Sequence, residues 1–171
     1  MITRYPSLIF FKIYNEISHI ITLKEKIKTE FYLFFKNYLI LFLLVSIYSI
    51  SVIRISSYHE VYRDEMRALS LVLESKSLPT FIHYLKSEGH PALWYFILYI
   101  GWLIIKTPLV LKVASLSIAI TAVTVFLFNS PFTKIQKGLF IFGALPLYEF
   151  SIMSRNYGIG MLLLFIFFTL Y

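Results

Sequence analysis

Long apolar runs separated by short polar stretches dominate the sequence. The first uncharged run covers residues 37–53, close to the roughly 20 residues that an α-helix needs to cross the hydrocarbon core of a bilayer. Four further apolar runs follow, at residues 91–105, 113–133, 138–148 and 156–171. The first of these four is short, and the third is interrupted by Pro146. The pattern predicts an all-α fold, that of a polytopic helical membrane protein.

A polar segment, residues 54–90, lies between the first two runs, and its five basic and five acidic side chains balance. Apolar residues recur in it at the spacing of a helical face, first at Tyr62, Met66, Leu69 and Leu73, then at Leu78, Phe81, Ile82 and Leu85. Pro79 suits a first helical turn and Gly89 a C-terminal cap. We therefore predict two amphipathic juxtamembrane helices in this segment.

The N-terminal segment, residues 1–36, carries six basic and three acidic side chains. It lacks the short apolar core and cleavage site of a signal peptide, and parts of it are amphipathic, as in helices at a membrane surface. Because basic segments tend to stay in the cytoplasm, we expect this segment to be cytoplasmic or interfacial and residues 54–90 to be exported. Residues 37–171 would form one domain in the plasma (inner) membrane.

The composition supports lipid as the solvent, since 58% of the residues are hydrophobic and only 15% are charged. The absence of cysteine excludes disulfides and thiol chemistry. The net charge of +7 is explained by cytoplasmic retention and anionic lipid. We expect membrane lipid as a partner and no nucleic acid, because no recognition motif accompanies the charge. The last run is still apolar at Tyr171, so we expect the chain to be the first part of a longer protein.

Two adjacent carboxylates, Asp64 and Glu65, are the first candidates for chemistry. A carboxylate at the membrane surface can accept a proton from a hydroxyl group or hold a divalent cation beside a phosphate. The alternative is a solvated helix face on which Asp64 pairs with Arg67. The histidines and Glu88 give little sign of a metal site, because no two histidines stand four residues apart in this segment.

Arg155 is the second candidate, because a guanidinium close to a bilayer is costly and often functional. It could bind a lipid-linked phosphate in a bidentate manner, or extend to lipid headgroups. Tyr157 suits the membrane interface in either case. His90, which precedes Pro91, marks a turn into the next helix.

Three segments, taken in order, resemble the GT-C superfamily of membrane glycosyltransferases, which includes protein O-mannosyltransferases and the aminoarabinose transferase of lipid A. "YRDEMRALSL", residues 62–71, is similar to the aromatic-x-Asp-Glu pattern of the first exported loop in that family. "GHPALWYFIL", residues 89–98, is similar to the His-Pro entry into the next helix. "FSIMSRNYGI", residues 150–159, is similar to a later Tyr-Ser-x-Glu-Ala-Arg-x-Tyr pattern, although Met153 and Ser154 replace its Glu-Ala pair.

The resemblance covers residues 40–171 and implies inverting transfer of a sugar from a polyprenyl-phosphate donor to an extracytoplasmic acceptor. It implies that Asp64 is the catalytic base or part of the metal and phosphate environment, with Glu65 and His90 in the same site. Arg155, with Tyr157 beside it, would help to hold the polyprenyl phosphate. The resemblance establishes no cofactor, although a divalent cation could be bound at such a site, and we expect this portion to be inactive alone.

Two alternatives stay open. If each apolar run up to residue 148 crosses the membrane once, Arg155 lies on the opposite side from Asp64. Both residues lie on one side if residues 91–105 and 113–133 together make only one full crossing, for instance through a re-entrant passage. The chain could also be a non-enzymatic multipass protein, an assembly subunit or a transporter fragment, whose charged loop only anchors at headgroups.

Overall fold

The computed structural model describes residues 6–86 and 88–171, and these residues contain only helices, turns and loops, with no strand. The α-helices are α1 Pro6–Tyr58, α2 Arg63–Glu74, α3 Leu78–Leu85, α4 Ala92–Ile104, α5 Leu109–Asn129, α6 Lys134–Ile141 and α7 Tyr157–Leu170. A π-helical turn, Leu145–Glu149, lies between α6 and α7. The predicted all-α class is confirmed for this part of the chain.

The chain divides into two compact units, residues 1–42 and 43–171. Helix α1 contributes to both, so residues 6–36 of the predicted N-terminal segment belong to the same continuous helix as the first apolar run, while residues 1–5 lie outside the described residues. In the first unit most of the described apolar side chains of α1 are exposed, for example Ile27 and Phe31, whereas Leu41 is buried. All other helices belong to the second unit.

Two helical stretches, Ser18–Tyr58 in α1 and Leu109–Asn129, are long and apolar enough to cross a bilayer. Helices α4 and α7 are apolar but shorter. Among the described residues, two helices could thus span a membrane by length and composition.

Both helices predicted in residues 54–90 are present, as α2 and α3. Helix α2 buries a different face from the predicted one, because its buried residues are Glu65, Ala68, Leu69 and Val72. Of the predicted stripe only Leu69 is buried, while Met66 and Leu73 are exposed. The buried face is rotated by about one residue position, because a hydrogen-bonded carboxylate takes a place that the apolar pattern assigns to hydrophobic residues.

Helix α3 begins as predicted but ends earlier. The Thr80 backbone N–H donates to Ser77 Oγ at 3.5 Å, and Pro79 stands in the first turn. The last helical residue is Leu85 and Lys86 is the cap, so the prediction of Gly89 as a C-terminal cap was wrong. The chain instead turns toward α4 over residues 88–91.

The main core of the second unit joins α2, α3, α4, α5 and the start of α7. Its buried members are Ala68, Leu69, Val72, Phe81, Trp94, Tyr95, Leu98, Val110, Leu111 and Ile159. The Phe81 ring stacks on Tyr99, with centroids 4.7 Å apart, and meets Phe96 edge-on at 5.3 Å. Helices α5 and α7 pack along their length, and this packing fixes the chain segment that enters α7.

Candidate functional site

A cavity of about 350 Å³ lies where α2, the start of α4 and the start of α7 meet, and we name it the polar cavity. It is lined by Asp64, Arg67, Ala68, Glu88, Gly89, His90, Trp94, Tyr95, Ser154, Arg155, Asn156 and Tyr157. The fold therefore brings together four of the residues singled out in the sequence: Asp64, His90, Arg155 and Tyr157. The fifth, Glu65, lies behind the cavity wall.

An ion pair crosses the polar cavity. Arg155 Nη2 donates to Asp64 Oδ2 at 2.7 Å, joining two residues that are far apart in the sequence. The Asp64 side chain is 72% exposed and that of Arg155 is 28% exposed. A charge-assisted hydrogen bond of this length is well formed, but its exposure to solvent leaves it a small net contribution to stability.

The alternative pairing of Asp64 with Arg67 is not the one observed. Arg67 Nη2 instead donates to Glu88 Oε1 at 3.0 Å, and the Tyr95 hydroxyl donates to Glu88 Oε2 at 3.1 Å. Burial, together with the adjacent Glu88 carboxylate, raises the pKa of Tyr95 to about 12, so the phenol keeps its proton. These contacts hold the chain just before His90 against α2 and α4.

Glu65 is fully buried and acts as a hub of hydrogen bonds. Its Oε2 accepts from the Tyr62 backbone N–H at 2.7 Å and lies 3.1 Å from His59 Nε2. Its Oε1 accepts from the backbone N–H of Ser154. The carboxylate therefore connects the end of α1 and the start of α2 to the residue that precedes Arg155, and it offers no surface to the polar cavity.

Hydrogen bonds from other helices also hold the segment between α6 and α7 that leads to Arg155. The Tyr48 hydroxyl donates to Pro146 O at 2.8 Å, and Ser115 Oγ donates to Ser151 O at 2.8 Å. These side chains come from α1 and α5, and their carbonyl partners belong to the stretch between α6 and α7. Together with Glu65 of α2, these contacts position Arg155 through three helices, α1, α2 and α5, that are distant from it in sequence.

Three buried polar atoms in residues that line the polar cavity have no hydrogen-bond partner within the described chain: Trp94 Nε1, Ser154 Oγ and Arg155 Nε. Trp94 and Ser154 are nearly fully buried. The indole and guanidinium N–H groups can only donate. Buried donors without partners are uncommon, so the wall of this cavity favours a ligand that supplies acceptor oxygens.

No metal centre is apparent among residues 6–86 and 88–171, where no three His, Cys, Asp or Glu side chains could hold an ion. His59, one of the histidines in the polar segment, contacts Glu65 instead. We assign no reaction step to the divalent cation that the sequence resemblance implies.

Sequence reasoning missed Glu88, Tyr95, Trp94 and Ser154 as site residues. Their contacts reach across a loop or between helices, so no regular spacing points to them. Glu88 and Tyr95 do flank His90-Pro91, which is the one local signal that they could share its site.

The chain matches no protein-family model, no curated protein and no solved structure in the comparisons made with them. The three segments that resemble GT-C glycosyltransferases, residues 62–71, 89–98 and 150–159, therefore stand on sequence resemblance. Each of the three contributes side chains to the polar cavity. The function is inferred from the meeting of these three segments at one cavity and from the opposite charges of Asp64 and Arg155 there.

Proposed function

We propose that the chain is the N-terminal part of a polytopic membrane glycosyltransferase that moves a sugar from a polyprenyl-phosphate donor to an extracytoplasmic acceptor. The observation that carries this proposal is the 2.7 Å contact between Arg155 and Asp64 in the polar cavity. This contact supports the proposal because a carboxylate that could act as base and a guanidinium that could bind phosphate lie close enough to act on one donor molecule. The unpartnered donors of the cavity wall support an oxygen-rich, anionic ligand.

In the proposed reaction each of these residues has a role. The acceptor hydroxyl oxygen attacks the anomeric carbon, the bond from that carbon to the phosphate oxygen breaks, and the anomeric centre inverts. Asp64 accepts the hydroxyl proton. The electron pair of the broken bond stays on the polyprenyl phosphate, whose negative charge Arg155 stabilises. His90 and Tyr157 line the same cavity and contact the bound donor.

A membrane arrangement with one crossing between residues 91 and 133 suits the structure. The start of α4 lines the polar cavity, and Lys112 in the first turn of α5 donates to Ser56 O and His59 O, both at 2.8 Å. Both ends of α4 thus stay near the level of the site, and α5 makes the crossing. In this arrangement the N-terminus is cytoplasmic, the protein lies in the plasma (inner) membrane, and the polar cavity faces outward.

Binding of the donor's phosphate is the first test. The purified chain is placed in phosphatidylcholine nanodiscs and titrated with undecaprenyl phosphate and, separately, with undecaprenol. We expect selective binding of the phosphate and at least a tenfold loss of affinity in Arg155→Gln, since a charge-assisted bidentate contact is removed. Lys76→Gln is the matched control, because it removes an exposed positive charge outside the cavity.

The opposite result would favour the non-enzymatic reading. Equal binding of the phosphate and the alcohol, or equal losses in Arg155→Gln and Lys76→Gln, would indicate a charged surface that only contacts headgroups. Retained helical content of both variants by circular dichroism would show that the comparison concerns folded protein.

A further inference from the structure

We propose that the Arg155–Asp64 ion pair is exchanged when the donor binds: the phosphate takes the place of the Asp64 carboxylate on Arg155, and Asp64 is thereby released to act as a base. This inference rests on the proposed function and concerns the order in which the site is filled. The donor binds first, and the acceptor meets an active carboxylate only afterwards.

The guanidinium of Arg155 is only partly used by Asp64. Its Nη2 donates to the carboxylate, whereas its Nε–H is buried and has no partner in the described structure. Nε and Nη2 form one edge of the guanidinium, which suits bidentate binding of a phosphate. A phosphate that accepts from both atoms satisfies a buried donor that Asp64 leaves without a partner.

The exchange is favoured on the Asp64 side as well. The Asp64 side chain is 72% exposed, so its carboxylate regains water when it leaves Arg155. Exposed ion pairs contribute little because solvent and salt screen them. The bound anion therefore competes with a weak partner and gains a better hydrogen-bonding geometry.

The surroundings keep both groups in place during the exchange. Glu65, next to Asp64, accepts from the backbone N–H of Ser154, next to Arg155. This buried contact fixes the two backbones relative to each other while the exposed side chains change partners. Asp64 thus stays beside the bound phosphate, where the acceptor hydroxyl must approach.

The proposal is tested by whether removal of the Asp64 charge raises or lowers the affinity for undecaprenyl phosphate. Asp64→Asn keeps the shape of the side chain but removes the competing charge, so we expect the chain in phosphatidylcholine nanodiscs to bind undecaprenyl phosphate about two- to fivefold more tightly. That factor corresponds to an exposed ion pair of up to about 1 kcal/mol. Glu60→Gln is the matched control, because it removes an exposed negative charge from the same loop without a contact to Arg155.

Titrations with different ligands show which chemical group the site recognises. Undecaprenol should bind equally to wild type and Asp64→Asn. A gain for undecaprenyl phosphate alone supports exchange with a lipid-borne phosphate, and a gain for inorganic phosphate as well supports exchange with phosphate from either source. An equal gain for undecaprenol would overturn the proposal, because it would not depend on the anion.

The exchange is overturned if Asp64→Asn binds undecaprenyl phosphate no better than wild type, or if Glu60→Gln produces the same gain. When the exchange fails in either of these ways, the proposed function still stands provided that wild type binds the phosphate and Arg155→Gln does not. If wild type does not select the phosphate at all, both fail. Asp64→Ala gives a second, independent removal of the charge should Asp64→Asn unfold.

Discussion

At the scale of single residues, the adjacent carboxylates Asp64 and Glu65 have different surroundings and therefore different roles. Asp64 is exposed and meets a single cation, Arg155, which suits a group that must change partners during a reaction. Glu65 is buried, and N–H groups from three parts of the chain converge on it. A buried carboxylate with such partners is expensive to disturb, which indicates a positioning residue.

Glu65→Gln should lower both stability and phosphate affinity although residue 65 does not line the cavity. The amide replaces one acceptor oxygen by a donor, which leaves a backbone N–H of Tyr62 or Ser154 without a partner and costs about 1–3 kcal/mol. Thermal unfolding and undecaprenyl phosphate titration measure the two effects, with the exposed Glu74→Gln as control.

An unchanged unfolding midpoint with lost affinity would contradict a positioning role for Glu65, because a residue that acts only through the fold cannot lose function without loosening it. A variant that loses both and recovers affinity at lower temperature would support it.

At the scale of helices, the approach of α7 to the preceding segment decides where Arg155 stands. A Cβ placed on Gly158 would lie 2.6 Å from Phe150 O, whereas one placed on Gly160 would meet nothing within 4 Å. Both glycines lie in the same helix, so they have the same cost in helix propensity.

Gly158→Ala should therefore displace the segment between Phe150 and α7, while Gly160→Ala should be neutral or slightly stabilising. We expect a destabilisation of about 1–3 kcal/mol for Gly158→Ala, as for other overpacked sites, together with weaker phosphate binding. Thermal unfolding in detergent and the nanodisc titration check both. Similar behaviour of the two variants would show that the close approach does not position Arg155.

The extent of three apolar helices could be predicted from sequence, but not the length of α1, the division of residues 138–148 between α6 and a π-helical turn, or the faces that the helices bury. Apolar runs located α4, α5 and α7 to within a few residues, because hydrophobicity and length determine helices in a membrane-like composition. The buried face of α2 was misplaced, because Glu65 enters the interior only with partners from distant segments. Their charge and the family resemblance identified Asp64 and Arg155 as candidates. Their contact could not be predicted, because the two residues are 91 positions apart in the sequence and only the fold brings them together.

At the scale of the whole second unit, the site lies near one end of α5 and the α5–α6 connection at the other. Lys112 in the first turn of α5 binds the carbonyls of Ser56 and His59, next to the Glu65 hub. At the far end Lys137 Nζ donates to Leu127 O at 2.6 Å, and burial lowers the pKa of this lysine. The 21 residues of α5 span about 30 Å, the thickness of the hydrocarbon core.

Residues at the two ends of α5 should therefore be accessible from opposite sides of the membrane. The chain has no cysteine, so single cysteines can be introduced without removing any. We expect Glu60→Cys and Tyr157→Cys to react with an impermeant maleimide in intact cells, and Lys134→Cys to react only after permeabilisation. Glu60 lies just before α2, which carries Asp64, and Tyr157 begins α7 beside Arg155, so labelling of only one of them would place Asp64 and Arg155 on different sides. Such a result would remove the shared compartment that sugar transfer requires, because a donor phosphate cannot contact both groups across the hydrocarbon core.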